Sequence, residues 1–240
     1  MQYIIKSPVP QELIQWFDEQ PVDDDGNKIN CRYNGQKGGF TSHVKKIVRQ
    51  LLLEDQGHIC CYTGIRITDD TFHIEHIKPQ SVYYKNYEDI DYKNLLAAYP
   101  KSSSGSHPHG AHQKKDWYEE ENFLSPLTPQ CENAFQFTLE GEIKVLDEND
   151  KAAQTTMNLL KLNESSLTEL RKEAIQSLLF DEDNQVTLED VVAIYKKIEN
   201  RNSKGQFRPF CFVLRQACEE YIKRKKTQTR NKAIQSQSKK

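Results

Sequence analysis

Between Phe72 and Pro79 the chain reads Phe-His-Ile-Glu-His-Ile-Lys-Pro. The alternation from Phe72 to Ile77 is that of a strand, and Pro79 stops it because proline cannot donate to a ladder. Glu75 and His76 are neighbours on that strand, so their side chains point to opposite faces. From a regular strand they cannot both ligate one ion. A division of labour follows, one residue on a metal and the other elsewhere in a site, unless the strand ends there, as Pro79 permits. All seven histidines fall between His43 and His112, less than a third of the chain. Imidazoles crowded around an acid are what a metal-assisted hydrolytic site requires.

The rest of the chain is arranged around this stretch. Residues 1–9 form an extended lead-in, and a helix is expected from about Pro10 to Gln20, with Leu13, Trp16 and Phe17 on one face. Asp23 to Gly39 is turn chemistry. A second helix starts at Thr41 or Ser42, carries Val44, Ile47, Val48, Leu51 and Leu52 at helical spacing, and ends near Gly57. Its other face bears Lys45, Lys46 and Arg49, a solvated surface or a phosphate-facing one. Ile65–Thr68 and Phe72–Ile77 are expected to pair as a hairpin about Asp69-Asp70. A tyrosine-rich loop (Tyr83, Tyr84, Tyr87) leads to an apolar Asn94–Tyr99 segment, and a helix is expected to open at His112.

Beyond a proline-punctuated connector, a second hairpin flanks Glu140-Gly141, with Phe135-Gln-Phe137 on one side and Glu142–Leu146 on the other. Three amphipathic helices follow, capped at Ser165 or Ser166, started by Thr187 with Asp190, and begun at Pro209. The fold class is α+β, mostly helical. Three regions are expected: a helical lead-in (1–57), a central module (58–120) and a C-terminal helical region (121–240) with a basic tail, which is assigned to partner binding.

Bulk composition excludes more than it selects. With 33 basic against 35 acidic residues the chain is no global polycation. The tail from Ile222 to Lys240 nevertheless holds eight Lys or Arg and no acid. Six cysteines are too sparse for a small secreted disulfide framework. No stretch has the length and apolarity of a signal peptide or a bilayer span, so no membrane association and a cytoplasmic location are expected.

Hydrolysis of a phosphodiester needs an activated water, stabilisation of growing charge on phosphate, and protonation of the leaving oxygen. His-Ile-Glu-His-Ile-x-Pro, then Asn94-Leu-Leu, then His112-x-x-Lys115, in this order and spacing, resembles the ββα-metal fold of HNH endonucleases. Glu before the histidine, the preceding Cys-Cys-Tyr and the Asn-Leu-Leu-Ala run are similar to Septu-type PtuB nucleases, including those that accompany retrons. The resemblance covers about residues 58 to 118.

It implies that His76 is the general base and that Asn94 orients it through the second ring nitrogen. Glu75 and His112 would hold one divalent ion, Mg²⁺ or Mn²⁺, and Lys115, one turn beyond His112, would meet a phosphate. His73, on the same side as Glu75, is expected to be a satisfied structural histidine. Many relatives add a structural zinc on two Cys-x-x-Cys pairs. Here those slots read Cys61-Tyr-Thr-Gly64 and Pro108-His-Gly-Ala111, so apolar packing is expected in place of zinc. A mixed site from Cys60 or Cys61 with His107 and His109 is the alternative.

By the same resemblance the partners are nucleic acid, a PtuA-like ATPase and, in retron settings, a reverse transcriptase with its msDNA, the setting being anti-phage defence. Action on RNA such as tRNA by the same residues, or a non-catalytic nucleic-acid-binding module with a structural ion, are the rival readings.

Overall fold

A computed structural model describes residues 1–29, 31–34, 40–83, 86–101, 107–179 and 186–237. The first helix, α1 (Gln11–Asp18), starts after Pro10, which stands as its N-cap, and buries Leu13 and Trp16. In α2 (Ser42–Asp55) the Thr41 hydroxyl accepts from the Val44 amide at 3.2 Å, as its place before the apolar period demands. Val44, Val48 and Leu52 are buried along one stripe. Gly57, at φ +55, ends this region where an added Cβ would meet the Phe207 ring. Tyr84 and the Gly35–Gly39 part of the expected loop lie outside the described residues.

The central strand pair differs from expectation. β1 (His73–His76) pairs antiparallel not with Ile65–Thr68 but with β2 (Leu95–Ala98), His73 opposite Ala98 and His76 opposite Leu95. Leu95, Leu96, Ala97 and Ala98 are all fully buried, and only a segment with no polar side chain can fill that slot. Ile65–Thr68 is instead held locally: Arg66 bridges to Ile59, and Thr71 closes a turn onto Thr68.

The far edge of β2 is covered by the end of α2. Gln56 donates to the Ala97 carbonyl and accepts from the Ala97 amide, at 2.8 and 2.6 Å, while the Cys61 amide also donates to Ala97. A buried amide side chain so paired fixes where β2 runs. A short helix α3 (Gln80–Tyr83) follows β1, and α4 (Ala111–Lys114) follows β2.

β3 (Phe135–Phe137) and β4 (Ile143–Val145) form the second hairpin as expected. It lies against α6, where buried Arg171 donates to the Gly141 carbonyl at 3.2 Å. A helix not foreseen, α5 (Lys151–Leu159), is capped by Asp150. In α6 (Ser165–Leu179) Ser165 is already helical and the Glu164 carboxylate receives the Ser166 amide. α7 (Leu188–Ile198) has the reciprocal Thr187–Asp190 capping box. α8 (Cys211–Gln237) packs on α6, α7 and β3. The C-terminal half also reaches the segment before β1, since the Phe207 and Phe210 amides donate to the Gly57 and Gly64 carbonyls. Buried side chains from Leu13 to Cys218 form one apolar cluster.

Candidate active site

Glu75 and His76 sit at the end of β1, 9 % and 7 % exposed, and the strand does separate them. Glu75 meets three partners: Tyr62 from the turn before β1, Lys114 from α4 and His73 from its own strand. The Tyr62 hydroxyl donates to Oε1 at 3.0 Å, and the Lys114 ammonium lies 3.2 Å from the same oxygen. His73 Nε2 stands 3.7 Å from Oε2. Burial alone would raise the Glu75 pKa, but His73, Lys114 and Tyr62 together hold the carboxyl below its ordinary value. It is therefore an anion at neutral pH. Burial and the same carboxylate push the Tyr62 phenol far up, so Tyr62 remains a donor.

His76 is held from the other side. Its Nε2 donates to the Asp89 carbonyl at 3.0 Å, and its ring stands edge-on to Tyr33 at 4.7 Å. A carbonyl only accepts, so Nε2 carries the proton and Nδ1 keeps its lone pair. Burial lowers the His76 pKa, which favours the neutral, basic ring.

Asn94 does not touch that ring, contrary to expectation. Its Oδ1 accepts from the Lys78 amide at 2.8 Å, and its Nδ2 donates to the Lys78 and Glu88 carbonyls at 3.0 and 2.8 Å. It ties the chain leaving β1 to the residue beside Asp89, and so sets the carbonyl that orients His76. Both Nδ2 protons are spent on backbone carbonyls, so Asn94 has no donor left for the unprotonated Nδ1 of His76.

The expected helix from His112 is a single turn, ended by Lys115 at φ 51. Lys115 is exposed and is not one turn onward along a continuing helix. Lys114 points inward instead, 1 % exposed, and donates to the His76 carbonyl at 2.9 Å besides pairing with Glu75.

His112 and His73 both face the Pro100 carbonyl, at 3.5 Å from Nε2 and 2.6 Å from Nδ1 respectively. Their rings are 5.1 Å apart, so His73 stands between His112 and Glu75. His107 continues the file, 6.1 Å from His112 and 4.5 Å from buried His109. Cys60 and Cys61 are buried, and Cys60 Sγ accepts from the Tyr99 amide at 3.3 Å.

A carboxylate oxygen beside imidazole nitrogens is a donor set suited to a divalent cation. Among the described residues no three His, Cys, Asp or Glu side chains already surround a common point. Of the partners found here, Tyr62 was visible only as part of Cys-Cys-Tyr, and Lys114 only as the inner lysine of His-Gln-Lys-Lys. Asp89 had no signal, because its backbone does the work.

The chain is thus an α+β protein with a buried Glu–Lys–Tyr cluster and a backbone-oriented imidazole at one strand end. It is similar to a protein of Vibrio cholerae serotype O1 biovar El Tor whose name makes it a candidate HNH endonuclease of retron Vc95. The two are 28% identical over 152 residues, 59% of this chain and 71% of that protein. No protein-family model matches the chain. Among the described residues no helix is long and apolar enough to cross a membrane.

Proposed function

We propose that this chain is a metal-dependent HNH-type endonuclease that hydrolyses phosphodiester bonds of nucleic acid. The observation that carries this reading is the split at the end of β1: an ionised Glu75 on one side, a neutral His76 with a free Nδ1 on the other. The order strand, strand, short helix (β1, β2, α4) and the similarity to the retron protein support it.

His76 Nδ1 takes the proton of the attacking water, while Asp89 keeps the ring in the required tautomer. Glu75 and His112 would hold the cation, which when bound would offset the charge growing on the phosphate. Asn94 is a positioning residue acting through the Glu88–Asp89 backbone. Exposed Lys115 meets a substrate phosphate, and His76, Asn94, Glu75 and His112 form the working set.

The retron setting in the relative's name extends the proposal to anti-phage defence. It includes a PtuA-like ATPase and a reverse transcriptase with its msDNA as partners, docked on the C-terminal helices. The exposed basic side chains Lys223, Arg224 and Lys226 of α8 are the surface to alter, since α6 and α8 also build the core. Charge reversal there that leaves ATPase binding intact counts against this docking.

The test of the activity is incubation with plasmid, single-stranded DNA and total tRNA. His76→Ala is expected to abolish cleavage while circular dichroism and metal content stay unchanged. Chelation by EDTA is expected to stop cleavage, and Mn²⁺ to restore it. Cleavage of tRNA alone makes the enzyme a ribonuclease. Cleavage undiminished in His76→Ala removes the proposed base, and no cleavage of any substrate leaves a binding module.

A further inference from the structure

His73 was expected to be a structural histidine, yet its surroundings pose a problem in hydrogen-bond accounting. Its Nδ1 lies 2.6 Å from the Pro100 carbonyl, which can only accept. Nδ1 is therefore committed to that carbonyl, and Nε2 is the nitrogen turned towards Glu75. Nε2 stands 3.7 Å from Oε2 of Glu75. Glu75 is itself an acceptor, and its other oxygen is already taken by Tyr62 and Lys114. His73 Nε2 and Glu75 Oε2 thus face each other across 3.7 Å with no direct hydrogen bond between them.

The gap is too wide for a direct N–H···O bond, whose heavy atoms stand about 2.7–3.2 Å apart. It does suit a shared ion: donors each about 2.1 Å from one metal, at angles of about 90–120°, stand roughly 3.0–3.7 Å apart. A histidine that gives its second N–H to a backbone carbonyl is also the usual arrangement of a metal ligand, because that bond fixes the tautomer and the ring. His112, whose Nε2 faces the same Pro100 carbonyl, is the next ring along.

We infer that His73 is a metal ligand, so that His73 Nε2 and Glu75 Oε2 form the primary pair and His112 completes a set of two imidazoles and one carboxylate. This deepens the nuclease reading and rests on it for the role of the ion. It also names the ion's class. A set with two imidazoles favours a first-row transition ion such as Mn²⁺ over Mg²⁺, which prefers oxygen donors and keeps its waters.

The test uses the full chain, freed of metal and titrated with Mn²⁺ while the free-ion electron paramagnetic resonance signal is followed. Pulsed measurements then count nitrogens coupled to the bound ion. The wild type is expected to show two imidazole nitrogens, and Mg²⁺ to displace Mn²⁺ only at large excess. His73→Gln is expected to show one nitrogen and to bind roughly tenfold or more weakly. His43→Gln, an exposed site on α2, is expected to match the wild type.

A His73→Gln protein with unchanged affinity and nitrogen count overturns the inference, and its Glu75 contact is then a protonated ion pair. So does a single coupled nitrogen in the wild type, a count that needs no variant to fold. Absence of Mn²⁺ binding overturns it too. Mn²⁺ held through His73 without cleavage of any nucleic acid keeps this inference and removes the nuclease reading. Cleavage with a wild-type-like His73→Gln does the reverse.

Discussion

Lys114 illustrates how much one side chain can carry. Its ammonium, 1 % exposed, joins the Glu75 carboxylate to the His76 carbonyl and so ties α4 to β1. Removing one member of a buried pair leaves the other charge uncompensated, at a cost of about 3–5 kcal/mol. Lys114→Met is therefore expected to lower stability by that order in urea denaturation. A loss under about 1 kcal/mol would show the pair to be wetter than its burial implies. Asn94→Ala leaves two carbonyls and an amide short of a partner. If the proposed mechanism holds, the variant is expected to weaken cleavage without abolishing it, because the residue positions the base and takes no proton. A complete loss with the fold intact would assign it a direct part.

Among the elements, the β3–β4 hairpin is the one most tightly specified by a single residue. Gly141 turns it at φ +82, and an added Cβ would run into the Thr168 carbonyl and the Lys172 amide of α6. Both obstacles are helix backbone and cannot move aside as a flexible side chain does. Gly141→Ala is expected to cost more than the roughly 1 kcal/mol of an ordinary left-handed glycine replacement. Thermal melting checks this, and an unchanged midpoint would mean that hairpin and helix shift together. The strand pair at the site has the opposite character. β1 is four residues long, and its placement rests on Gln56 gripping Ala97 of its neighbour β2.

For the whole molecule, the file of imidazoles ending in His109 gives stability a pH dependence. His109 is 3 % exposed, its Nδ1 has no hydrogen-bond partner, and burial and the neighbouring His107 lower its pKa to about 4. The folded protein keeps the ring neutral, whereas the unfolded chain protonates it near 6.5. The contribution is thus complete above about pH 6.5 and is lost as pH falls towards 4. At about 1.4 kcal/mol per pH unit this amounts to roughly 3 kcal/mol. Urea midpoints measured from pH 7 to pH 4.5 are expected to fall further for the wild type than for His109→Leu. Parallel slopes would show that the ring is solvated or paired.

The residues alone determined the opposed faces of Glu75 and His76, the caps at Thr41 and Thr187, the second hairpin and the amphipathic C-terminal helices. Each of these follows from a period or a spacing within about ten residues, where backbone geometry leaves little choice. The partner of β1, the lysine that turns inward, the carbonyl that orients His76 and the approach of His73 to Glu75 had no such local cause. Tyr62 meets Glu75 across 13 positions and Lys114 meets His76 across 38. Such pairs are chosen by which buried groups must be satisfied once the core has closed, and only the folded chain brings them within reach.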